Sequence, residues 1–576
     1  MFDISIKIAG QAGQGIQSIA EILLKVLKFK GLHVFAYQDY MSRVRGGHNF
    51  MQVRISDSPV YSIKEDCNIL VALDTNSVDV HRNEVPKGGA IIYDPHSTMV
   101  DSLDNRFIPI PMNNLAKEVG SPILSNTISA GSILALLDIE KGDAEEFIKK
   151  QFAKKGEDVI EKNLKALEKG YSYFTENFSN RRYTNDLKGH SERSEESQMG
   201  DDRLLLMNGS EAVGFGAIAG GCQFIAAYPM SPSTGVFTYI TGKAKEFNII
   251  SEQAEDEIAA INMALGASFS GARAMTTTSG GGLSLMAEGL SLAGVMEAPV
   301  VVVNAQRPGP ATGLATRTGQ EDLEYVLHIG HGEFPRFVFA PGHHEEAFYT
   351  TIHAFNLSDK YQVPAFILID QYFADTYATV KEFDLNKVKA ISSQQSAFSN
   401  DYKRYQITKD GVSPRAYPMQ GDFTFIADSH EHTENGHITE DGEVRNKMVE
   451  KRFRKLKGMQ KEFGKPTYYG DKKAKTVFLA WGSNYGVVRE TVAYLKKQKR
   501  SAAMLHFNRI YPFPRKEAVA FLKGAKEIIT VENNYQGQFG NILKTETGIE
   551  ADGKILKYDG RPFTVEYILK KLSAIS

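Results

Sequence analysis

Short apolar runs alternate with helical patterns over residues 1–180. The segments DISIKIAG, HVFAYQ, CNILVALD and GAIIYD each have the composition of a buried strand, and GIQSIAEILLKVLKFKG has the apolar spacing of a helix. Such alternation is typical of a parallel sheet that is covered by helices. The pattern therefore predicts an α/β domain at the start of the chain.

Two further α/β units are predicted, over residues 204–385 and 474–576. The first begins with LLLMNGSEAVGFGAIAGG and has strands at CQFIAAYP, ARAMTTTS, APVVVVNAQ and PAFILID. These runs are almost continuously apolar, as expected for strands that are buried on both faces of a parallel sheet. The unit over residues 474–576 has strands at KTVFLAWGS, SAAMLHFNR and EIITVEN. The chain is therefore predicted to be a multidomain α/β protein.

The segments between these units are polar. Residues 185–203, NDLKGHSERSEESQMGDDR, contain only Leu187 and Met199 as apolar side chains, so they cannot bury enough surface to offset the chain entropy. We expect a linker there. Residues 386–473 are predicted to be an irregular connecting segment. Because the histidines in IADSHEHTENGHITEDG lack the helical HExxH spacing, we expect a solvated loop rather than a metal site at His430, Glu431, His432 and His437.

Charge and cysteine content narrow the class of protein. The 576 residues carry 67 basic and 69 acidic side chains, and this balance argues against a nucleic-acid-binding protein. Cys67 and Cys222 are the only cysteines, which fits a reducing cytoplasm and is too few for a four-iron four-sulfur cluster. The sequence has no signal-peptide pattern and no apolar run of about 18 residues. We therefore expect a cytoplasmic protein that contacts no membrane.

Two glycine-containing motifs lie in the first unit. Gly10, Gly13 and Gly15 separate a strand from a helix, where glycines allow backbone amides to approach an anionic group. The spacing is GxxGxG, which is neither the dinucleotide fingerprint nor a P-loop, and a tight turn is the alternative. Arg43 and Arg45 precede two glycines in SRVRGGHN, a composition that suits a polyanionic ligand or a solvated basic loop.

In the second unit, two motifs follow predicted strands directly. Tyr228 and Ser231 lie in YPMSPST, whose prolines and hydroxyls suit a small polar ligand, or else a rigid surface turn. Thr278, Ser279 and Gly280 lie in TTTSGGG. Three consecutive glycines cost backbone entropy, so the close approach of another group is favoured over a simple turn.

Two further candidates carry charge. In EDEIAAINMALGA, Glu255 and Asp256 suit a helix N-terminus, but Glu257 abuts the apolar part of the helix, where a carboxylate is costly unless something binds it. Arg307 and Arg317 lie in the long segment RPGPATGLATRTGQEDL. Either guanidinium could bind a substrate carboxylate through two parallel hydrogen bonds.

Taken together, these segments resemble the 2-oxoacid:ferredoxin oxidoreductase family, in the form that has a gamma-type domain fused ahead of the alpha-type chain. The similar blocks are YPMSPST, EDEIAAINMALGAS, TTTSGGGLSLM, QRPGPATGLATRTGQEDL and VENNYQGQFG, preceded by GQAGQGI and SRVRGGHN. The likeness extends over nearly the whole chain except the linker. Two positions depart from the family pattern: Met230-Ser231 replaces Ile-Thr, and Gly281 stands where many relatives have proline.

The resemblance implies a function for each unit. Residues 1–180 would be the gamma-type domain, with Gly10, Gly13, Gly15, Arg43 and Arg45 as candidates for binding coenzyme A. Residues 204–385 would be the pyrimidine-binding domain for thiamine diphosphate, and residues 474–576 a domain like the C-terminal domain of transketolase. The implied catalytic residue is Glu257, nine residues before Gly266, which would hydrogen-bond the aminopyrimidine ring of the cofactor.

Further binding roles are implied on the same unit. Thr278, Ser279 and Gly280 would contact the cofactor, whereas Tyr228, Ser231, Arg307 and Arg317 would contact the 2-oxoacid. Arg317 is the first choice for the substrate carboxylate. The sequence lacks the Gly-Asp-Gly that begins the diphosphate–metal motif of thiamine enzymes, and it lacks cluster cysteines. A beta-type subunit would therefore carry Mg²⁺ and the iron–sulfur cluster, in at least a heterodimer and by family analogy a heterotetramer.

The implied reaction is the CoA-dependent oxidative decarboxylation of a 2-oxoacid, with electrons passed to ferredoxin. The fused form favours 2-oxoglutarate as substrate and succinyl-CoA as product, and a pyruvate-using or broad-specificity enzyme is the alternative. A non-catalytic nucleotide-binding subunit is a more distant alternative, which the Glu257–Gly266 spacing disfavours. An NAD-linked dehydrogenase is disfavoured by the glycine spacing in the first unit.

Overall fold

The structure is a computed structural model that describes residues 2–42, 46–100, 104–183, 204–388 and 401–575. The predicted linker, residues 185–203, lies outside the described residues, as do Arg43 and Arg45. The chain forms two compact units. Unit 1 comprises Met1–Met207, Thr376–Glu382 and Thr564–Glu566, and unit 2 comprises Asn208–Asp375, Phe383–Phe563 and Tyr567–Ser576. No helix within the described ranges is both long and apolar enough to cross a membrane.

The strands and helices follow one another in the order that an α/β protein requires. In chain order the strands are β1 (Asp3–Ala12), β2 (His33–Asp39), β3 (Gly46–Ser56), β4 (Ile69–Ala72), β5 (Ala90–Tyr93), β6 (Phe107–Pro109), β7 (Leu204–Asn208), β8 (Phe224–Ala227), β9 (Ile250–Gln253), β10 (Ala274–Thr278), β11 (Val300–Gln306), β12 (Phe337–Phe339), β13 (Pro364–Asp370), β14 (Tyr377–Lys381), β15 (Thr467–Gly470), β16 (Thr476–Trp481), β17 (Ala502–Phe507), β18 (Arg509–Tyr511), β19 (Glu527–Glu532) and β20 (Gly553–Leu556). The helices are α1 (Ile16–Phe29), α2 (Thr75–His81), α3 (Met112–Val119), α4 (Ser125–Leu136), α5 (Gly142–Phe152), α6 (Glu157–Phe178), α7 (Gly209–Ala219), α8 (Thr234–Phe247), α9 (Glu257–Phe269), α10 (Gly280–Leu285), α11 (Ala287–Met296), α12 (Leu323–His328), α13 (His344–Tyr361), α14 (Gln371–Asp375), α15 (Gly442–Arg454), α16 (Leu456–Phe463), α17 (Tyr485–Lys497), α18 (Arg515–Leu522), α19 (Gln538–Thr547) and α20 (Val565–Ile575).

The sheet of unit 1 is mixed, with strand order β6-β5-β4-β1-β3-β2-β14-β7. Strands β1, β4, β5 and β6 are parallel, but β3 pairs antiparallel with both β1 and β2. The prediction of a parallel sheet is therefore wrong for β3, which runs antiparallel to both of its neighbours. Only residues 40–45 connect β2 to β3, and a connection between parallel strands needs a dozen or more residues. Gly46–Asn49, for which a solvated basic loop was the alternative to a ligand-binding segment, form the start of β3.

Unit 2 contains a seven-stranded sheet in the order β18-β12-β13-β11-β10-β8-β9. All neighbouring strands from β12 to β9 are parallel, and only the edge strand β18 runs antiparallel. Strand β11, VVVVNAQ, is buried at every position, as the continuous apolar run predicts. The predicted strands at CQFIAAYP, ARAMTTTS, APVVVVNAQ and PAFILID are confirmed as β8, β10, β11 and β13.

A five-stranded sheet, β15-β17-β16-β19-β20, completes unit 2. Strands β17, β16, β19 and β20 are parallel, and β15 pairs antiparallel with β17. One hydrophobic cluster joins side chains of both sheets of unit 2, including Val302 of β11 and Trp481 of β16. The two sheets of unit 2 therefore share a core.

Residues 386–473 are not irregular throughout, because helices α15 and α16 occupy Gly442–Arg454 and Leu456–Phe463. The buried stripe of these helices consists of Met448, Lys451, Arg452, Lys455, Met459 and Phe463. These positions have helical spacing, but half of them are basic. The helical pattern is hidden in the sequence because basic side chains occupy positions that apolar residues usually fill.

The buried basic residues are neutralised by a carboxylate. Lys451 Nζ and Lys455 Nζ lie 2.5 and 2.6 Å from the two carboxylate oxygens of Glu297, and all three side chains are at most 1% exposed. Arg404 donates to the backbone oxygen of Glu297 at 2.9 Å. Burial raises the pKa of Glu297, but the neighbouring ammonium groups lower it well below its usual range. This cluster fixes the connecting segment against α11.

The histidine segment is also partly buried. Glu431 pairs with Arg452 at 2.7 Å, and His432 is 1% exposed and stacks on Tyr405 with ring centroids 3.8 Å apart. The prediction of a solvated loop is therefore wrong for these two residues, because their partners come from elements distant in sequence. No group of three or more metal-ligating side chains suited to a metal ion occurs among the residues described.

Replacing Glu297 with glutamine should lower the free energy of unfolding by about 3–5 kcal/mol, because it leaves two buried lysines without a counter-charge. Equilibrium denaturation with urea would measure the change. Glu288→Gln, on the exposed face of the same helix, should change it by less than about 0.5 kcal/mol. Because the pKa of Glu297 is depressed in the folded state, its contribution should be present near neutral pH and lost as acid protonates it. Equal effects of the two substitutions would contradict the assigned role of Glu297.

Candidate active site

Three of the predicted loops leave the seven-stranded sheet at the same edge. YPMSPST follows β8, the glycine run follows β10, and the segment from Arg307 follows β11. These strands are parallel, and Thr278 at the end of β10 is in register with Asn304 of β11. In parallel sheets, ligands bind beyond the carboxyl ends of the strands. The structure therefore brings the sequence-predicted residues of unit 2 to one edge.

Glu257 is the first residue of α9 and is 2% exposed. Asp256 caps the helix by accepting a hydrogen bond from Ala259 N at 2.7 Å, which confirms the structural interpretation of that acidic residue. Glu257 is not used in this way. Its Oε1 is buried and has no hydrogen-bond partner among the described residues, and burial raises the pKa of its carboxyl group. A buried carboxylate oxygen without a partner is a position for a ligand.

The three glycines allow the start of α10 to lie directly against two carboxylates. A Cβ at Gly282 would overlap Glu257 Oε1 and Thr278 Oγ1, and a Cβ at Gly280 would lie 3.2 Å from Asp322 Oδ2. By contrast, a Cβ at Gly281 would meet nothing closer than Ala311 O at 3.9 Å. The close approach predicted for this turn is therefore to the protein's own acidic side chains, at positions 280 and 282.

Other polar atoms at this edge also lack partners. Ser279 Oγ, Thr276 Oγ1, Asn304 Oδ1 and Arg307 Nε are all buried without a hydrogen bond across residues 204–388 and 401–575. Each unsatisfied buried group costs about 1–3 kcal/mol. Several such atoms at one edge of a sheet, together with Glu257, indicate a preformed polar site whose partners come from outside the chain.

Arg307 interacts electrostatically with both Glu257 and Asp322. Arg307 is 9% exposed, and its Nη1 donates to Ser231 O at 2.8 Å. Asp322 accepts from Asn304 Nδ2 at 2.9 Å, and its own N–H donates to Gln306 Oε1 at 3.1 Å. Burial raises the pKa of Asp322 and lowers that of Arg307, and each opposes the shift of the other. Asn304 and Asp322 were not recognised as site residues in the sequence.

The other substrate candidates lie on the same loops. Arg317 is 9% exposed and packs against Gly560, where a Cβ would lie 2.9 Å from Arg317 Cβ. The next residue, Thr318, donates its N–H to Gly560 O at 3.3 Å. Ser231 and Tyr228 are exposed, and Tyr228 is 40% accessible. Arg307 and Ser231 are joined directly by the hydrogen bond from Arg307 Nη1 to Ser231 O.

Gln320 holds the segment that carries both arginines. Its Nε2 donates to Trp481 O at 3.0 Å, and its Oε1 accepts from Asn484 Nδ2 at 2.8 Å and from Asn533 N at 3.0 Å. Its carbonyl oxygen accepts from Asn534 Nδ2 at 3.0 Å. The Asn533-Asn534 pair of VENNYQGQFG therefore anchors the long loop to the five-stranded sheet.

Comparison with known proteins identifies the family. Residues 215–451 match a family model described as "Pyruvate flavodoxin/ferredoxin oxidoreductase, thiamine diP-bdg", and residues 5–173 and 474–568 match "Pyruvate ferredoxin/flavodoxin oxidoreductase" and "Pyruvate:ferredoxin oxidoreductase core domain II". The alpha subunit of 2-oxoacid:ferredoxin oxidoreductase 2 from Aeropyrum pernix is 33% identical, over 98% of this chain and 96% of that protein. A Sulfolobus alpha subunit of 2-oxoacid:ferredoxin oxidoreductase is 33% identical over 96% and 94%.

The chain belongs to the 2-oxoacid:ferredoxin oxidoreductase alpha-subunit family.

The resemblance to this family inferred from the motifs is thus confirmed, and the match extends over the region ahead of residue 204 as well. Among solved structures, the 2-oxoglutarate:ferredoxin oxidoreductase of Magnetococcus marinus has a TM-score of 0.90 and 31% identity, and the match covers 100% of both chains. That protein was solved with 2-oxoglutarate, coenzyme A and succinyl-CoA bound. This chain is accordingly an oxidoreductase subunit with a thiamine-diphosphate-binding region.

The buried edge of the seven-stranded sheet fits such a cofactor. Residues 215–451, which match the thiamine-diphosphate-binding model, include Glu257, Ser279, Asn304 and Arg307. Their unpartnered oxygen and nitrogen atoms could hydrogen-bond a polar heterocycle. Among the described residues, no group of side chains at this site could hold a metal ion.

The glycine motif near the start of the oxidoreductase subunit forms the turn between β1 and α1. Gly15 is the N-cap of α1 with φ of 88°, and a Cβ there would also overlap the side chain of Asn126. Gly13 has φ of 95° and open space around its Cβ position. Gly10 lies within β1. The turn interpretation is sufficient for both Gly13 and Gly15, because each has a positive φ that favours glycine.

The glycine geometry predicts different effects at neighbouring positions. Gly282→Ala places a methyl group onto Glu257, so we expect thiamine diphosphate affinity to fall by at least about tenfold, which is about 1.4 kcal/mol. Gly281→Ala should leave affinity unchanged and stabilise the helix by about 0.5–1 kcal/mol. Calorimetric titration of each variant, assembled with its partner subunit, would measure the affinities. Equal cofactor affinity of the two variants would show that the close approach of Gly282 to Glu257 is not needed for cofactor binding.

Proposed function

We propose that this chain is the subunit that holds the pyrimidine side of thiamine diphosphate and the 2-oxoacid in a 2-oxoglutarate:ferredoxin oxidoreductase. The observation that carries the proposal is the buried Glu257 carboxylate, whose Oε1 has no hydrogen-bond partner in the described part of the chain. The reaction would convert 2-oxoglutarate and CoA to succinyl-CoA and CO₂, with electrons passed to ferredoxin.

Glu257 would hydrogen-bond the aminopyrimidine ring and hold a proton at its carboxyl group. When bound, thiamine diphosphate supplies the nucleophilic carbon and the electron sink for decarboxylation. Burial raises the pKa of Glu257, which favours the protonated carboxyl group that acid–base exchange with the cofactor needs. Thr278, Ser279 and Gly280 would line the same cofactor site, because they form the turn against which Glu257 packs.

Arg317 would bind the carboxylate of the substrate, with Ser231 and Tyr228 on the neighbouring loop as further contacts and Arg307 as the second candidate. A guanidinium can form two parallel hydrogen bonds with a carboxylate. The choice of 2-oxoglutarate is supported by the full-length similarity to the Magnetococcus marinus enzyme. A broad-specificity 2-oxoacid oxidoreductase is the alternative, because the Aeropyrum pernix relative is named for 2-oxoacids in general.

A beta-type subunit would supply what this chain lacks. Cys67 and Cys222 are both buried and free, and burial raises the pKa of each thiol to about 12, so neither is suited to ligate iron. The sequence has no other cysteine and no Gly-Asp-Gly. The partner would therefore carry the iron–sulfur cluster, Mg²⁺ and the diphosphate-binding motif, and would pass electrons to ferredoxin.

Residues 1–180 would be the gamma-type domain that contributes to CoA binding. Gly13 and Gly15 place backbone amides at the start of α1, and Gly10 precedes them. Arg43 and Arg45 would bind the phosphates of CoA, and both lie outside the described residues. Residues 204–385 would be the pyrimidine-binding domain, and residues 474–576 the domain like the transketolase C-terminal domain.

Glu257→Gln should reduce turnover by about 10²–10⁴-fold, because it removes an acid–base group without changing side-chain size. The matched control is Glu255→Gln, which changes an exposed glutamate two residues earlier. Both variants should fold and associate with the partner as the wild type does. Turnover would be measured as 2-oxoacid-dependent viologen reduction by the assembled complex. Near-normal turnover of Glu257→Gln would remove this residue from the mechanism.

The chain purified alone should contain no stoichiometric iron and should not reduce viologen with any 2-oxoacid. Anaerobic assembly with the beta-type subunit should give tight thiamine diphosphate binding and activity together, because the missing ligands arrive on one chain. Comparing kcat/KM for 2-oxoglutarate, pyruvate and branched 2-oxoacids would decide the substrate. A preference for pyruvate, or similar values for all substrates, would overturn the assignment to 2-oxoglutarate but not the assignment to the family.

A further inference from the structure

The turn that follows β20 packs a glycine against the loop that carries Arg317. Gly560 is buried, although the preceding residues Tyr558 and Asp559 are exposed, and its φ is 77°. A Cβ at this position would lie 2.9 Å from Arg317 Cβ and 3.1 Å from Leu314 Cδ1, whereas ordinary van der Waals contacts are 3.4–4 Å long. The missing side chain of Gly560 therefore allows the close approach of Arg317.

Only one of these two contacts can relax easily. Leu314 Cδ1 is the end of an exposed, flexible side chain, so it can rotate away from an added methyl group. Arg317 Cβ is attached to the backbone and moves only with the loop. The N–H of Arg317 donates to Leu314 O at 3.0 Å, and the N–H of Leu314 donates to Pro308 O at 3.0 Å. The backbone of Arg317 is therefore fixed within its own loop.

Thr318 connects this loop to two neighbouring segments. Its N–H donates to Gly560 O at 3.3 Å, and its Oγ1 accepts from Tyr372 N at 3.3 Å. Tyr372 belongs to α14, which directly follows β13 of the seven-stranded sheet. Thr318 is 3% exposed, so water does not compete for these hydrogen bonds. The residue after Arg317 is therefore held from both sides.

Asn533 holds the glycine turn and the arginine loop together. Its Nδ2 donates to Lys557 O and to Arg561 O, both at 3.4 Å, on either side of Gly560. Its backbone oxygen accepts from Gln320 N at 2.8 Å. Because the turn and the loop are bound to the same buried residue, they cannot readily separate to make room for a side chain.

We infer that Gly560 and Thr318 are positioning residues for Arg317, which together hold its guanidinium where the substrate carboxylate binds. This inference rests on the proposed role of Arg317. Neither residue needs to touch the substrate. Two parallel hydrogen bonds to a carboxylate require an exact placement of the guanidinium, and a displacement of about 1 Å can cost about 10²-fold in activity.

The first experiment compares Gly560→Ala with Gly548→Ala. Gly548 has φ of 76° and nothing within 4 Å of its Cβ position, so both substitutions introduce the same backbone strain but only Gly560→Ala displaces Arg317. Each variant is assembled with its partner subunit and assayed with 2-oxoglutarate, or with whichever 2-oxoacid gives the wild type its highest kcat/KM. Gly560→Ala should raise KM about tenfold and change kcat by less than about twofold. Gly548→Ala should leave both unchanged.

A double-mutant cycle tests whether Gly560 acts through Arg317. Arg317→Gln should raise KM by itself, and adding Gly560→Ala to it should raise KM no further, because no guanidinium remains to be displaced. Thiamine diphosphate affinity, measured by calorimetric titration, should be unchanged in both single variants. A purely structural defect would instead lower this affinity and would add to the effect of Arg317→Gln.

The Thr318 variants provide a test that does not depend on a strained glycine. Thr318→Ser keeps the hydroxyl group that accepts from Tyr372 N and should have nearly the wild-type KM, whereas the similarly shaped Thr318→Val loses it and should raise KM. If Gly560→Ala does not fold, this pair decides the question.

Three results would count against the inference. Equal KM values for Gly560→Ala and Gly548→Ala would overturn it, as would an effect of Gly560→Ala that adds in full to that of Arg317→Gln. Equal KM values for Thr318→Val and Thr318→Ser would remove Thr318 from it. By contrast, an unchanged KM in Arg317→Gln would overturn the proposed substrate role of Arg317 itself.

Discussion

The candidate site depends on one buried amide side chain, that of Gln320. This residue lies in a segment of seventeen residues, Arg307–Leu323, that begins beyond β11. A segment of that length would be variable in position if it were held only at its ends. The side chain of Gln320 is fully buried and uses both its donor and its acceptor on the five-stranded sheet. The five-stranded sheet thus fixes the segment next to Arg317, whereas Asn304 and Gln306 of β11 hold Asp322.

Burial alone does not distinguish a functional carboxylate in this chain. Glu297 is buried with two lysines on its oxygens, and Glu532 is buried with its oxygens bound by Phe539 N at 2.8 Å and Gly540 N at 3.1 Å. Each of these oxygens has an N–H donor or a lysine ammonium group within 3.1 Å. Glu257 is also hidden from solvent, but its Oε1 has neither a hydrogen-bond donor nor a lysine partner among the described residues. The difference that points to function is the missing partner, because folding alone gives no compensation for that atom.

Much of this architecture could be predicted from the sequence, because β11 and β13 are largely apolar runs and the motif from Arg307 follows β11 directly. The position of Glu257 was also predictable, since a charged residue abuts an apolar helix. Three features could not be predicted from the sequence. Strand β3 forms because a six-residue connection forces an antiparallel pair, and α15 is hidden because Lys451 occupies a core position. Asp322 resembles an ordinary surface residue until Gly280 is seen to contact it.

The two cysteines have a practical consequence for handling the protein in air. A thiol is oxidised mainly as its thiolate, and both Cys67 and Cys222 are buried with a pKa near 12. At neutral pH almost none of either thiol is ionised or accessible to peroxide. Any oxygen sensitivity of the assembled oxidoreductase must then arise from groups other than these thiols. These two thiols should therefore stay reduced during aerobic handling of the chain.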